Sequence, residues 1–191
     1  MKLIKYSSLI LAVSLFFGAC KTEMVEKLDD FNLEQGGYMR TVTPYPVAAA
    51  TFSVSKANMA GTKMEAVLEA VTPDKGALFS SYDLTVKFVD ATPANGNKST
   101  SDVTLRSIPA SSYTKDATTG YPRHTLVITG ADVLTATKLT AADVSTGDRF
   151  EISATMKLTN GKSFNAANTG LNITGGAFYS SPFFYRLNVV N

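Results

Sequence analysis

The stretch Arg149-Phe-Glu-Ile-Ser-Ala-Thr-Met-Lys-Leu158 decides the fold, because its apolar residues recur at every second position. Phe150, Ile152, Ala154, Met156 and Leu158 fall on one side, while Glu151, Ser153, Thr155 and Lys157 fall on the other. Side chains of an extended chain point alternately to opposite faces, so this pattern marks a strand with one face in a core and one in water. Asn160-Gly161 follows at once, a pair suited to the positive φ angles of a type I′ hairpin turn. Lys162-Ser163-Phe164 then begins the return.

Outward from this hairpin the same rule holds. In Tyr82-Asp-Leu-Thr-Val-Lys-Phe-Val89, Tyr82, Leu84, Val86 and Phe88 share one face and Asp83, Thr85 and Lys87 the other. Further strands are predicted at Tyr38–Thr43, Thr51–Ser55, Thr62–Val71, Val103–Arg106, His124–Thr129 and Phe183–Val190. The last carries Phe183, Tyr185, Leu187 and Val189 on its apolar face. Met64–Val71 contains helix formers, yet it alternates and lacks a capping box, so it is read as strand. Gly130–Leu139 is read as a crossover loop, with Asp132 placed to start no more than a short helical turn. About seven or eight short strands with turn-rich connections, and 14 Ser and 23 Thr after residue 19, predict an all-β fold. The expected form is an antiparallel β-sandwich of immunoglobulin-like topology.

The N-terminus has a different character. Met1–Lys5 carries two positive charges, and Tyr6–Ala19 is uncharged with an apolar centre from Leu9 to Phe17. That run of 14 residues is shorter than the roughly 20 needed to span a bilayer, and the layout is that of a signal peptide covering residues 1–19. Phe17-Gly18-Ala19-Cys20 resembles the lipobox of bacterial lipoproteins, with Phe17 in place of the usual Leu. The resemblance implies that Cys20 is lipidated and becomes the first mature residue, anchoring the protein to a membrane by several acyl chains. Lys21, rather than Asp, and the charged stretch to Asp30 imply an outer-membrane position facing the cell exterior. Residues 20–36 are read as a lipidated Cys and flexible tether, and 37–191 as one domain.

Composition narrows the chemistry. The 191 residues carry 18 Lys and Arg against 16 Asp and Glu; without Lys2 and Lys5 the two counts are equal. A neutral mature chain has no overall field to draw in nucleic acid, which is excluded as an expected partner. One Cys and one His leave no disulfide framework, Cys-rich zinc site or Cys/His nucleophile pair. His124, at the start of a predicted strand, has no carboxylate partner near it in sequence. The adjacent carboxylates Asp29-Asp30 lie in the tether. No cofactor is implied beyond Ca²⁺, for which Asp90, Asn95, Asn97 and Asp102 supply oxygen ligands in one loop, without EF-hand spacing. No enzymatic activity is expected.

The C-terminal half contains Ile128-Thr-Gly-Ala-Asp132, Gly147-Asp148-Arg149-Phe150, Asn160-Gly161 before Phe164, and Tyr179-Ser-Ser-Pro182-Phe183-Phe-Tyr185. In these it resembles small surface lipoproteins of Sus-type glycan-uptake systems, which have Ig-like domains. The resemblance implies an accessory in polysaccharide capture, or in assembling an outer-membrane transporter complex. With no Trp, a sugar platform falls to the eight Tyr residues. Tyr113 and Tyr121, in the loop Ser111–Pro122, are the candidates, with Lys115, Asp116 and Arg123 as polar partners. The alternatives are a structural or adhesive module that binds protein through a sheet edge, and a cryptic glycoside hydrolase with two carboxylates in one cleft.

Overall fold

A computed structural model describes residues 36–48, 50–175 and 182–191. The predicted signal segment, Cys20, the tether through residue 35 and Tyr179 lie outside the described residues. Two sheets make up the domain. The first has the order β1 (Tyr38–Thr43), β3 (Lys63–Val71), β7 (Pro122–Thr129), β6 (Thr114–Lys115). The second has the order β2 (Phe52–Ser55), β10 (Phe184–Val190), β8 (Arg149–Leu158), β4 (Phe79–Val89), β5 (Val103–Pro109), and β9 (Ser163–Asn165) pairs with β8. This is an all-β sandwich with the strand partition of an immunoglobulin-like domain. Among the described residues there are ten strands where seven or eight are expected; β6, only two residues long, carries no sequence signal, and β9, three residues long, is the return predicted after Asn160-Gly161. One pairing departs from the expected antiparallel pattern: β2 runs parallel to β10, with Phe52 opposite Leu187.

The alternation read from the sequence becomes the core. Met64, Ala66, Leu68 and Ala70 of β3 face Tyr82, Leu84, Val86 and Phe88 of β4 and Phe150, Ile152, Ala154 and Met156 of β8, all essentially buried. The Phe88 and Phe150 ring centroids lie 5.0 Å apart. Each of the larger apolar side chains among them contributes about 2 kcal/mol by leaving water, the alanines less. The middle of the core is nevertheless polar. The Tyr82 hydroxyl donates to the Pro182 carbonyl, which also accepts from the Tyr185 hydroxyl at 3.2 Å. Thr41 Oγ1 lies 3.1 Å from the same Tyr185 hydroxyl, so β1 of one sheet is hydrogen-bonded through the core to β10 of the other. Burial pushes both phenols up, which keeps them neutral donors.

Two local expectations are corrected. Residues Gly130–Thr137 form a helix, α1, rather than a loop. Thr129 caps it by accepting from the Asp132 amide at 3.1 Å, and Asp132 accepts from the Thr129 amide at 2.9 Å. This is a capping box with Asp in the place where Glu or Gln is usual. The helix ends at Lys138, which takes a left-handed φ of 58°. At Asn160-Gly161 only Gly161 has a positive φ, 83°, so the turn is not type I′. The Gly161 amide donates to the Leu158 carbonyl at 3.1 Å and the Leu158 amide to the Lys162 carbonyl at 2.9 Å. That is the three-residue hairpin form, with Gly in the bulge position.

Tyr185→Phe leaves the Thr41 hydroxyl buried without that partner. It is expected to cost about 1–2 kcal/mol in urea unfolding, with native spectra retained. A variant as stable as the parent would show that the hydroxyl cluster contributes nothing to joining the sheets.

Candidate functional site

The β6–β7 hairpin is built by Asp116. Its Oδ1 accepts from the amides of Thr118 and Thr119 at 3.1 and 2.8 Å, and its backbone carbonyl accepts from Gly120 at 2.8 Å. Gly120 supplies the positive φ, 74°, that lets the chain return to β7. The other carboxylate oxygen, Oδ2, accepts from Arg123 Nη1 at 2.7 Å.

Arg123 belongs to a row of charge across the outer face of the first sheet. Strand register sets Arg40 opposite Glu69, Glu69 opposite Arg123, and Arg123 opposite Thr114. Glu69 is almost fully buried, yet it is outward-facing. Its Oε1 accepts from Arg40 at 2.6 Å and its Oε2 from Arg123 Nε at 2.8 Å and Thr119 Oγ1 at 3.0 Å. Burial alone would raise this carboxyl; the hydrogen bonds from Arg40, Arg123 and Thr119 outweigh it and hold Glu69 below the usual Glu range. Hydrogen bonds, first that from the Thr119 amide, likewise lower Asp116.

Above this row lies an open depression of about 450 Å³. Val67 and Thr125, opposite each other in register, form its floor, and Ser112, Thr114, Lys115, Asp116, Arg123 and His124 line it. His124 Nδ1 lies 3.0 Å from the Ser112 carbonyl. A carbonyl only accepts, so Nδ1 carries the proton in that contact and Nε2 is left as an acceptor in the neutral ring.

The predicted residues therefore divide. Lys115, Asp116 and Arg123 come together at the depression. Tyr113 does not act as an exposed platform: it is 9 % exposed, its ring meets Phe79 edge-on at 4.7 Å, and its hydroxyl is buried with no partner. The residue is apolar enough to pack at the sandwich edge, and it anchors the loop. Tyr121 is half-buried and lines a second depression with Tyr38, Val71 and Pro73. Lys75 Nζ stands 4.7 Å over its ring centroid and donates to the Thr119 carbonyl at 3.2 Å. Lys75 reaches this position from a left-handed turn in which Asp74, Lys75 and Gly76 have φ of 53°, 56° and 85°. Glu69 and Lys75 were missed by sequence reading. Glu69 alternates outward like Glu65, and nothing local marks its partners.

The calcium ligands are not assembled. Asp90 Oδ1 accepts from the Thr92 amide at 2.8 Å and Oδ2 from the Lys98 amide at 3.0 Å, and these backbone hydrogen bonds hold its carboxyl low. Asn97 Oδ1 accepts from Ser99 at 2.9 Å, Asn95 sits in a 3₁₀ turn, and Asp102 is exposed. These contacts close the β4–β5 loop on itself. Among the described residues no group of three or more His, Cys, Asp or Glu is placed to hold a metal ion. Compared with known proteins, the chain matches no family model and no curated sequence.

The lowered Glu69 carboxyl fixes the sign of an acid effect. A group depressed in the folded state contributes its stability fully above its unfolded value, about 4.3 for Glu, and loses it as the pH falls through the folded value. Glu69→Gln keeps the shape without the charge. It is expected to cost about 2 kcal/mol at pH 7, less than full removal of a buried partner because both arginines are partly exposed. The difference between parent and variant in urea unfolding should shrink below about pH 4; parallel curves down to pH 2.5 would contradict the assignment.

Proposed function

We propose that this protein is a non-enzymatic cell-surface lipoprotein, anchored through Cys20 to the outer membrane. It acts as an accessory in polysaccharide capture or in assembling a glycan-uptake complex. One observation carries the binding role: the depression beside β6–β7, where donors and acceptors of fixed direction stand on a rigid sheet face. Sugar hydroxyls act as both donor and acceptor, and this surface offers both. Lys115 donates, while His124 Nε2 and the Ser112 and Thr114 hydroxyls accept. Arg123 and Asp116 hold each other and thereby hold the loop wall in place.

Two features weigh against the other readings. A glycosidase acid needs a carboxyl pushed up toward neutrality. Glu69, Asp83, Asp90, Asp116, Asp143 and Glu151 all move the other way. Strand addition needs an open edge. β6 covers β7 only at Pro122 and Arg123, but further along the Arg106 guanidinium donates to the Val127 carbonyl at 3.1 Å and blocks that one edge, which leaves β1 and β5 among the outer strands where addition has to be tested.

The test is affinity electrophoresis of the purified protein through gels containing a panel of polysaccharides. Retardation by at least one glycan is expected, weakened about tenfold by Lys115→Ala or His124→Ala. Tyr113→Phe, which removes an unpartnered buried hydroxyl, should bind like the parent and be at least as stable. Migration unaffected by every glycan would refute capture and leave complex assembly.

A further inference from the structure

The opposite face of the sandwich carries a charge arrangement of another kind. On the outer surface of the second sheet, register places Arg186 of β10 opposite Glu151 of β8, and Glu151 opposite Lys87 of β4. Arg149 lies two residues before Glu151 on the same face of β8. Glu151 is satisfied from two sides: Oε1 accepts from Arg149 Nε at 2.7 Å and Oε2 pairs with Lys87 at 3.2 Å. Arg186, its register neighbour, gets neither oxygen, and Arg186 Nε is buried with no hydrogen-bond partner. Three cations thus stand against one carboxylate, in a chain whose mature charges otherwise cancel. The nearest ion pair on this face, Lys157 with Asp83 at 2.6 Å, is balanced.

Arg186 Nε is closed off from solvent, so an incoming anion meets the terminal nitrogens of the Arg186 fork. Here it is flanked by two further cations and by Phe184, which faces the same way two residues earlier on β10 and is 38 % exposed. The patch measures about 10 Å across three strands and about 7 Å along them. That matches one or two sugar rings. An apolar ring edge beside a guanidinium fork suits a pyranose bearing a carboxylate or sulfate, since Arg binds such groups bidentately and an aromatic side chain covers the ring's C–H face.

We propose that Arg186, with Arg149, Lys87 and Phe184, forms a binding site for an acidic polysaccharide, one carrying uronate or sulfate groups, on the outer face of the second sheet. This rests on the polysaccharide reading above and names the substrate class. Arg186 is the anion contact, Arg149 and Lys87 supply the surrounding positive potential while holding Glu151, and Phe184 provides the apolar contact.

The test compares the purified parent with Arg186→Gln, Arg186→Lys and Phe184→Ala, using polygalacturonate, chondroitin sulfate and an uncharged glucan as probes. Thermal melts confirm that each variant is folded. The expected result is parent retention by an acidic probe that weakens steeply with added salt. Arg186→Gln should lose about tenfold in affinity for it, with Arg186→Lys intermediate. Any retention by the uncharged glucan should be unchanged in these variants. Binding of the uncharged glucan alone would overturn this site and leave the first depression standing. Acidic binding lost in Lys115→Ala but kept in Arg186→Gln would also overturn it, as would binding of duplex DNA in preference to both acidic glycans. No binding of any glycan would overturn this proposal and the capture reading together.

Discussion

The contact between the two inner sheet faces is the constraint on which the rest depends. With no Trp and no disulfide among the described strands, the sandwich is held by interdigitated apolar rows and by the buried hydroxyls of Tyr82, Tyr185 and Thr41. The two Tyr hydroxyls share the Pro182 carbonyl and Thr41 bonds the Tyr185 hydroxyl, so the entry to β10 is fixed from inside the core. A polar cluster of this kind adds direction to a contact that apolar packing alone leaves non-directional. Because one face of each sheet is committed to this core, the outer faces are free to carry charge in patterns unrelated to folding.

The two outer faces use that freedom differently. On the first sheet, cations and carboxylates alternate across the strands from Arg40 through Glu69 and Arg123 to Asp116, and every carboxylate oxygen has a donor. The result is a balanced, stiff floor that fixes the β6–β7 wall and leaves Lys115 exposed, while the half-buried His124 ring packs on Tyr113 at the rim. On the second sheet the balance fails by design of the register: one carboxylate is shared by Arg149 and Lys87, and Arg186 is left over. A balanced face suits uncharged ligands read by hydrogen bonds, and an unbalanced one suits an anion. Two outer faces with different charge patterns on one small domain would let it hold a chain of mixed sugars.

Much of the fold was legible because it is written at a period of two. The strands around Tyr82 and Phe150, and the choice of strand over helix at Met64–Val71, follow from alternation within a few residues. The errors arose where short-range signals were weak. The capping box of α1 uses Asp132, a shorter acid than the usual one, and the Asn160-Gly161 pair serves two turn types that differ in a single φ angle. The site was less legible. Loop position brings Lys115, Asp116 and Arg123 to one depression, but Tyr113 is a loop residue by neighbours and a core residue by packing on Phe79. Glu69 lies 29 residues from Arg40 and 54 from Arg123, so the network that organises the loop exists only once the strands pair.

In the proposed role, ligand is held on the outer sheet faces and not along a strand edge. Backbone amide shifts of the ¹⁵N-labelled protein, titrated with oligosaccharides cut from whichever polysaccharide retards it, test this most directly. The expected shifts are confined to Val67 and residues 112–125 for an uncharged glycan, and centred on 149–153 and 184–188 for an acidic one, with the outer edges of β1 and β5 silent. Shifts concentrated along β1 or β5 would contradict it and point to strand addition.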